Sequence, residues 1–213
     1  MQPTASLAGT GRWTRIALWL VLGTMAYNLV EAGVALAAGV AAESIALVGF
    51  GLDSIIELAA AGVLLWRLRL ELGGADPETV EAGERRVLRF VGGTFVALAL
   101  YVTAEAAWTL WRREAPAEST VGLVLAVASL LLMPAIAWGK LRAAREIGSG
   151  ALRAEARETL ACSYLSLALL VGLAAHAALG WWWADPVAAL LMVPWLVREG
   201  WEGLSGEDRC GGD

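Results

Sequence analysis

Residues 43–66 read ESIALVGFGLDSIIELAAAGVLLW, an apolar run long enough to cross a lipid bilayer, with two carboxylates, Asp53 and Glu57, near its middle. A spanning helix needs about 20 apolar residues, and one acid at its centre costs about 2.5–3.5 kcal/mol on insertion scales. Acids at i and i+4 project from one helix face, roughly 6 Å apart along the axis. Two bare anions so placed repel each other. That face must therefore look into protein and meet a proton, a cation or both.

The rest of the chain points the same way. Of its 213 residues 58% are hydrophobic and only 17% charged, with a mean hydropathy of +0.62, whereas a soluble domain averages about 25% charged and about 45–50% apolar. The net charge of -5 says little, because the charges cluster between apolar runs. No basic patch is interleaved with aromatics, which excludes nucleic acid as a partner. Two cysteines, Cys162 and Cys210, are too few for a disulfide framework and are not spaced as a zinc ribbon. Residues 1–15 form a short basic leader. The apolar run after them lacks a small-residue cleavage site and reads as a retained first helix.

Six apolar segments follow, over about 13–38, 43–66, 87–111, 119–138, 154–179 and 181–197. Each is close to the roughly 17–25 residues that cross a bilayer with some tilt. The expected fold is an all-α membrane protein with six transmembrane helices in one domain, 13–201. A cytoplasmic segment, 1–12, precedes it, and a short Gly- and acid-rich cytoplasmic tail, 202–213, follows. The links are short except 67–86, which is charged and carries the turn signals Gly73, Gly74 and Pro77. With the N-terminus inside, only Arg112 and Arg113 of the 16 Lys and Arg face outward, so the positive-inside rule puts both termini in the cytoplasm. Trp13, Trp66, Trp138 and Trp201 then fall near the inner interface, and Trp108, Trp111 and Trp181 to Trp183 near the outer one.

The six helices divide three and three, and the middle helix of each half carries a polar pair. The second has Asp53 and Glu57; the fifth has Glu158 and Cys162, again at i and i+4. The two middle helices run antiparallel, and both pairs lie near mid-depth, so they can meet at one site. Three carboxylates and a thiol suit a tetrahedral divalent cation. Zinc is the default, cadmium or cobalt fit because sulfur favours softer ions, and carboxylate-rich sites also take manganese or iron. Binding displaces protons held by the acids and the thiol, the physical basis for exchanging metal against protons. The plain alternative is that the acids pair with Arg153 or Arg157, or stay protonated inside a helix bundle.

The segments AESIALVGFGLDSIIELAAAG and AEARETLACSYLSLALLVG, the six helices and the Asp185–Pro186 step opening the last one resemble the cation diffusion facilitators. The resemblance implies a divalent-cation/proton antiporter, usually an exporter, working as a homodimer in the cell membrane (plasma or inner). It also implies metal ligands at Asp53, Glu57, Glu158 and Cys162, where members of the family carry a His or Asp followed four residues later by Asp. Here Glu57 and Glu158 are longer than the usual residues, Cys162 replaces an acid, and no histidine occupies the site. The sequence has no counterpart of the cytoplasmic domain many members carry after the sixth helix, nor of a His-rich loop. Metal sensing by those parts is therefore not expected, and dimer contacts fall to the membrane helices.

Other polar residues have two readings each. Asn28 and Glu31, one turn apart on the first helix, line a cation path or hydrogen-bond a neighbouring helix. Glu155, one turn inward of Glu158, is a path residue or the salt-bridge partner of an interfacial arginine. Glu105 reads as interfacial, and Asp185 as a helix N-cap or first-turn residue rather than a ligand. His176 lies roughly 21 Å of helical rise beyond Cys162, too far for a catalytic dyad. Cys210 reads as a plain thiol in the tail. Gly33, Gly39, Gly49 and Gly51 read as close helix packing.

The functional expectation is efflux of a divalent transition metal coupled to proton antiport, by alternating access at a site between the second and fifth helices. The rival is a non-transporting membrane scaffold of the same fold that binds metal or a partner. An enzyme is not expected, because only carboxylates stand ready to activate Cys162.

Overall fold

The structure, a computed structural model, describes residues 7–72, 77–113 and 116–205. The turn signals Gly73 and Gly74, the first six residues, and the end of the tail with Cys210 lie outside the described residues. Six α-helices make up the fold: α1 (Leu7–Ala42), α2 (Ile45–Leu72), α3 (Pro77–Arg112), α4 (Thr120–Ile147), α5 (Gly150–Leu179) and α6 (Ala184–Ser205).

The helices outrun the apolar segments that announce them. The charged stretch 67–86 is almost wholly helical, as the end of α2 and the beginning of α3, and Pro77 stands at the first position of α3, where its fixed φ and missing N–H are tolerated. Hydropathy reports where lipid ends, whereas Leu, Glu and Arg keep a helix going beyond it. The turn between α4 and α5 shrinks to Gly148 and Ser149. Gly148 closes α4 in the left-handed conformation (φ 70°), and Ser149 caps α5 by accepting from the Leu152 N–H.

Around the bundle the neighbours run α1, α2, α3, α6, α5, α4 and back to α1, while α2 also reaches across to α5 and α6. The second helix thus packs against α1, α3, α5 and α6. Its core is apolar: Leu47 and Phe50 of α2, Val102 of α3, Leu165 and Leu169 of α5 and Met192 of α6 are fully buried in one cluster. Outside, Trp19, Leu29, Val30, Leu100, Val124, Leu131 and Val171 are exposed, an apolar exterior suited to lipid.

Five of the helices are long and apolar enough to cross a membrane. The sixth has 22 residues, about 33 Å of rise, but Asp185, Arg198, Glu199 and Glu202 dilute its hydropathy. It is held instead by α3 and α5. At its crossing with α3 the backbones meet: a Cβ on Gly92 would come within 2.9 Å of the Gly200 carbonyl oxygen. The glycines of the first two helices divide in role. Gly39 and Gly51 allow α1 and α2 to touch and Gly49 faces Val102 of α3, but Gly33 has nothing within 4 Å of where its Cβ would be. Gly33 is therefore no packing residue.

Several tryptophans gather near the helix ends. Arg142 of α4 lies over the rings of both Trp13 and Trp138, at 5.4 and 6.0 Å, at one end of the bundle. Arg112 covers Trp108 at 4.8 Å, and Trp181 stacks on Trp183 with ring centroids 4.9 Å apart.

Candidate metal centre

Asp53 and Glu57 stand one turn apart on the face of α2 that turns toward α5, and Cys162 faces them from α5. One donor atom from each, a carboxylate oxygen or the sulfur, lies within 4.8 Å of the other two. Cys162 Sγ is 2.9 Å from Glu57 Oε1 and 4.0 Å from Asp53 Oδ2, so its one S–H goes to Glu57, with Asp53 at the limit of its reach. Asp53 is 2% exposed and Cys162 1%, while Glu57 is half-buried. Among the described residues this is the one such group of three metal-binding side chains.

Glu158 does not join that group. One turn before Cys162 on α5, it is half-buried and stays outside the span that holds the three donors. The structure therefore brings together three of the four expected ligands. Asn28 of α1 donates from Nδ2 to Glu57 Oε2 at 3.0 Å, which holds the carboxylate while Oε1 meets the thiol. Second-sphere bonds of this kind orient a ligand for a metal.

Glu31, one turn along α1 from Asn28 and 0% exposed, enters a separate hydroxyl network. Ser54 of α2 donates to its Oε2 at 2.9 Å, Ser129 of α4 donates to its Oε1, and the Tyr27 hydroxyl sits 2.7 Å from Ser129 Oγ. Glu155 is paired, though with a lysine of α4 rather than an interfacial arginine. Lys140 Nζ lies 2.8 Å from Glu155 Oε1 and 3.0 Å from Thr159 Oγ1. Lys140 reads in the sequence as an inner-face charge, but α4 continues past it and buries it completely.

Asp185 does lie in the first turn of α6, yet its carboxylate serves a different helix. The Ser44 hydroxyl donates to Oδ1, and the N–H groups of Ile45 and Ala46 donate to Oδ2 at 2.9 and 3.4 Å. It thus caps the start of α2, the helix that carries two of the donors. Glu105 is half-buried in a groove of about 360 Å³ between α1, α2 and α3, beside Glu43 and Trp108. His176, near the end of α5, has Nδ1 3.4 Å from the Trp181 carbonyl oxygen.

The profile of the cation efflux transmembrane domain matches residues 21–204, which hold all three donors. The chain belongs to the cation efflux family. It is also 31% identical over 167 residues to a Synechocystis sp. protein named as an uncharacterized transporter, an alignment covering 76% of this chain and 53% of that protein. The chain thus spans about half the length of this curated relative. Membership makes it an integral membrane protein of a transporter family, not of an enzyme family.

Within this cation efflux domain, sequence reasoning passed over Tyr27, Ser54, Ser129 and Glu199. A serine or tyrosine costs little in an apolar helix, so nothing marks it as bonded to a carboxylate. Ser54 had one available signal, its place directly after Asp53. Glu199, buried in α6, follows Arg198 in the sequence and so reads as part of a solvated helix end.

Proposed function

We propose that the chain exports a divalent transition metal from the cytoplasm in exchange for protons, by alternating access to Asp53, Glu57 and Cys162. The observation that supports it most is the approach of a thiol from α5 to two carboxylates of α2, with their donor atoms within 4.8 Å of one another. Metal–oxygen and metal–sulfur bonds of about 2.0–2.3 Å put donors around a tetrahedral ion roughly 3.3–3.8 Å apart. The separations of 2.9 and 4.0 Å at Cys162 need only side-chain adjustment to meet that. Glu158, on the same face of α5 as Cys162, is the fourth ligand in this reading, swinging in when the ion arrives. Zinc is the default ion for carboxylates with a thiol, the sulfur also suits cadmium or cobalt, and the carboxylates admit manganese or iron.

Proton coupling follows from the donors themselves. In the metal-free state Cys162 gives its S–H to Glu57, and a cation bound there must displace that proton. An inward-open form takes up metal as protons leave. Rocking of the helices then opens the same site outward, where protons return and expel the ion. Asn28 orients Glu57, and Glu155, held by Lys140, flanks the route toward Glu158. Both termini lie in the cytoplasm, and two copies associate through their exposed helix faces.

Proteoliposomes enclosing a metal-sensitive dye test the proposal. Zinc or cadmium flux should be driven by an opposing proton gradient and be abolished in Asp53→Ala. Absence of proton-linked flux for zinc, cadmium, cobalt, manganese and iron overturns transport, and tight metal binding without flux would assign the chain to the scaffold reading instead.

A further inference from the structure

Glu31 is a carboxylate with no exposure, and its hydrogen bonds run to Ser54 and Ser129, beside the Tyr27 hydroxyl, not to the three donors. No Lys or Arg pairs with it among the described residues. The nearest cation on α4, Lys140, lies about 16 Å of helical rise beyond Ser129 and is committed to Glu155. An ionised carboxylate buried without a cation is costly, so such a group takes up a proton.

The partners of Glu31 accommodate either protonation state. Each serine has one hydroxyl proton and two acceptors within reach. Ser54 Oγ lies 2.9 Å from Glu31 Oε2 and 3.0 Å from the Phe50 carbonyl oxygen, and Ser129 Oγ adjoins Glu31 Oε1 and lies 3.0 Å from the Leu125 carbonyl oxygen. Facing a carboxylate, both hydroxyls point at Glu31. Facing the protonated acid, one of them accepts from Glu31 and turns its own proton to the helix carbonyl. No heavy atom has to move. The titratable groups nearest Glu31 are Tyr27, which reaches it through Ser129, and the three donors: Ser54, which donates to Glu31, is the neighbour of Asp53 on α2, and Asn28, one turn from Glu31 on α1, holds the Glu57 that Cys162 meets. A divalent ion among those donors would attract negative charge onto Glu31 and release its proton.

We propose that Glu31 is a proton-binding site separate from the metal ligands, which gives up its proton when a divalent cation binds at Asp53, Glu57 and Cys162. This rests on the metal-binding part of the proposed function, and it raises the number of protons exchanged per ion above what the ligands supply.

Calorimetry on the full chain in lipid nanodiscs, titrated with zinc in buffers of different ionisation enthalpy, counts protons released per ion. Glu31→Gln, which keeps the shape and the hydroxyl contacts, should bind zinc and release about one proton fewer. Ser54→Ala/Ser129→Ala, which removes the donors that stabilise the ionised form, should lower the count as well. An unchanged count in Glu31→Gln overturns the proposal. Infrared difference spectra give a second reading: the wild type should lose a protonated-carboxyl C=O band on adding zinc that Glu31→Gln never shows. If the wild type binds no metal, the transport reading falls, and the same band followed against pH still decides whether Glu31 carries a proton. Identical wild-type and Glu31→Gln spectra overturn that as well.

Discussion

The residues that give this domain its chemistry differ in how visibly the sequence declares them. Asp53 and Glu57 stand out because a carboxylate in a membrane helix is expensive, and Cys162 stands out through its spacing from Glu158. Asn28 is less conspicuous, since an amide in a lipid-spanning helix has many uses, but its Nδ2 contact to Glu57 gives it a specific one. Asn28→Ala should free the Glu57 carboxylate to turn and weaken zinc binding by roughly 10–100-fold, the range for loss of a second-sphere partner. Isothermal titration of the purified protein measures this, and unchanged affinity would remove Asn28 from the site. Of the serines around Glu31, Ser129 was not legible and Ser54 only by its place after Asp53, because the hydroxyl of a serine can be satisfied within its own helix by the carbonyl four residues back. Only the coordinates show that Ser54 and Ser129 also reach a third helix.

The six helices could be read from hydropathy, and so could the meeting of the second with the fifth, since matched depth and antiparallel order leave little choice. Their ends could not, because apolarity stops at the lipid surface and the helix does not. That difference places Lys140 inside the protein, against Glu155, where it ties the end of α4 to the beginning of the ligand-bearing α5. Glu155 Oε2 has no hydrogen-bond partner among the described residues, so the ammonium is the main compensation for a buried charge. Lys140→Met should therefore cost about 3–5 kcal/mol, as expected when one partner of a buried pair is removed. Lys140→Met/Glu155→Leu should recover most of the loss. Thermal unfolding of wild type, Lys140→Met and the double variant in one detergent provides the comparison, and Lys140→Met as stable as wild type would show that the pair does not hold the helices.

In the observed arrangement two of the three donors are closed off: Asp53 is 2% exposed and Cys162 1%, and the cluster of Leu47, Phe50, Leu165 and Leu169 fills the middle of the bundle. A carrier must open this site to one side at a time, and α2 is the element through which such a movement has to pass, because it contacts α1, α3, α5 and α6 together. Its start is capped by Asp185 of α6, so displacement of α6 is transmitted directly to the helix that bears Asp53 and Glu57. Alternating exposure predicts a specific pattern at Cys162. In a Cys210→Ser background, a membrane-impermeant thiol reagent should reach Cys162 from the cytoplasmic face of sealed vesicles when the outer face is not acidified. Acidifying the outer face should slow that reaction and allow labelling from outside, because protons entering there favour the outward form. Zinc should protect the thiol from either side, since a bound thiolate is no longer a free nucleophile. Labelling from one face only, whatever the gradient, would mean that the site never opens to the other side, and a binding protein would then replace the transporter as the description of this fold.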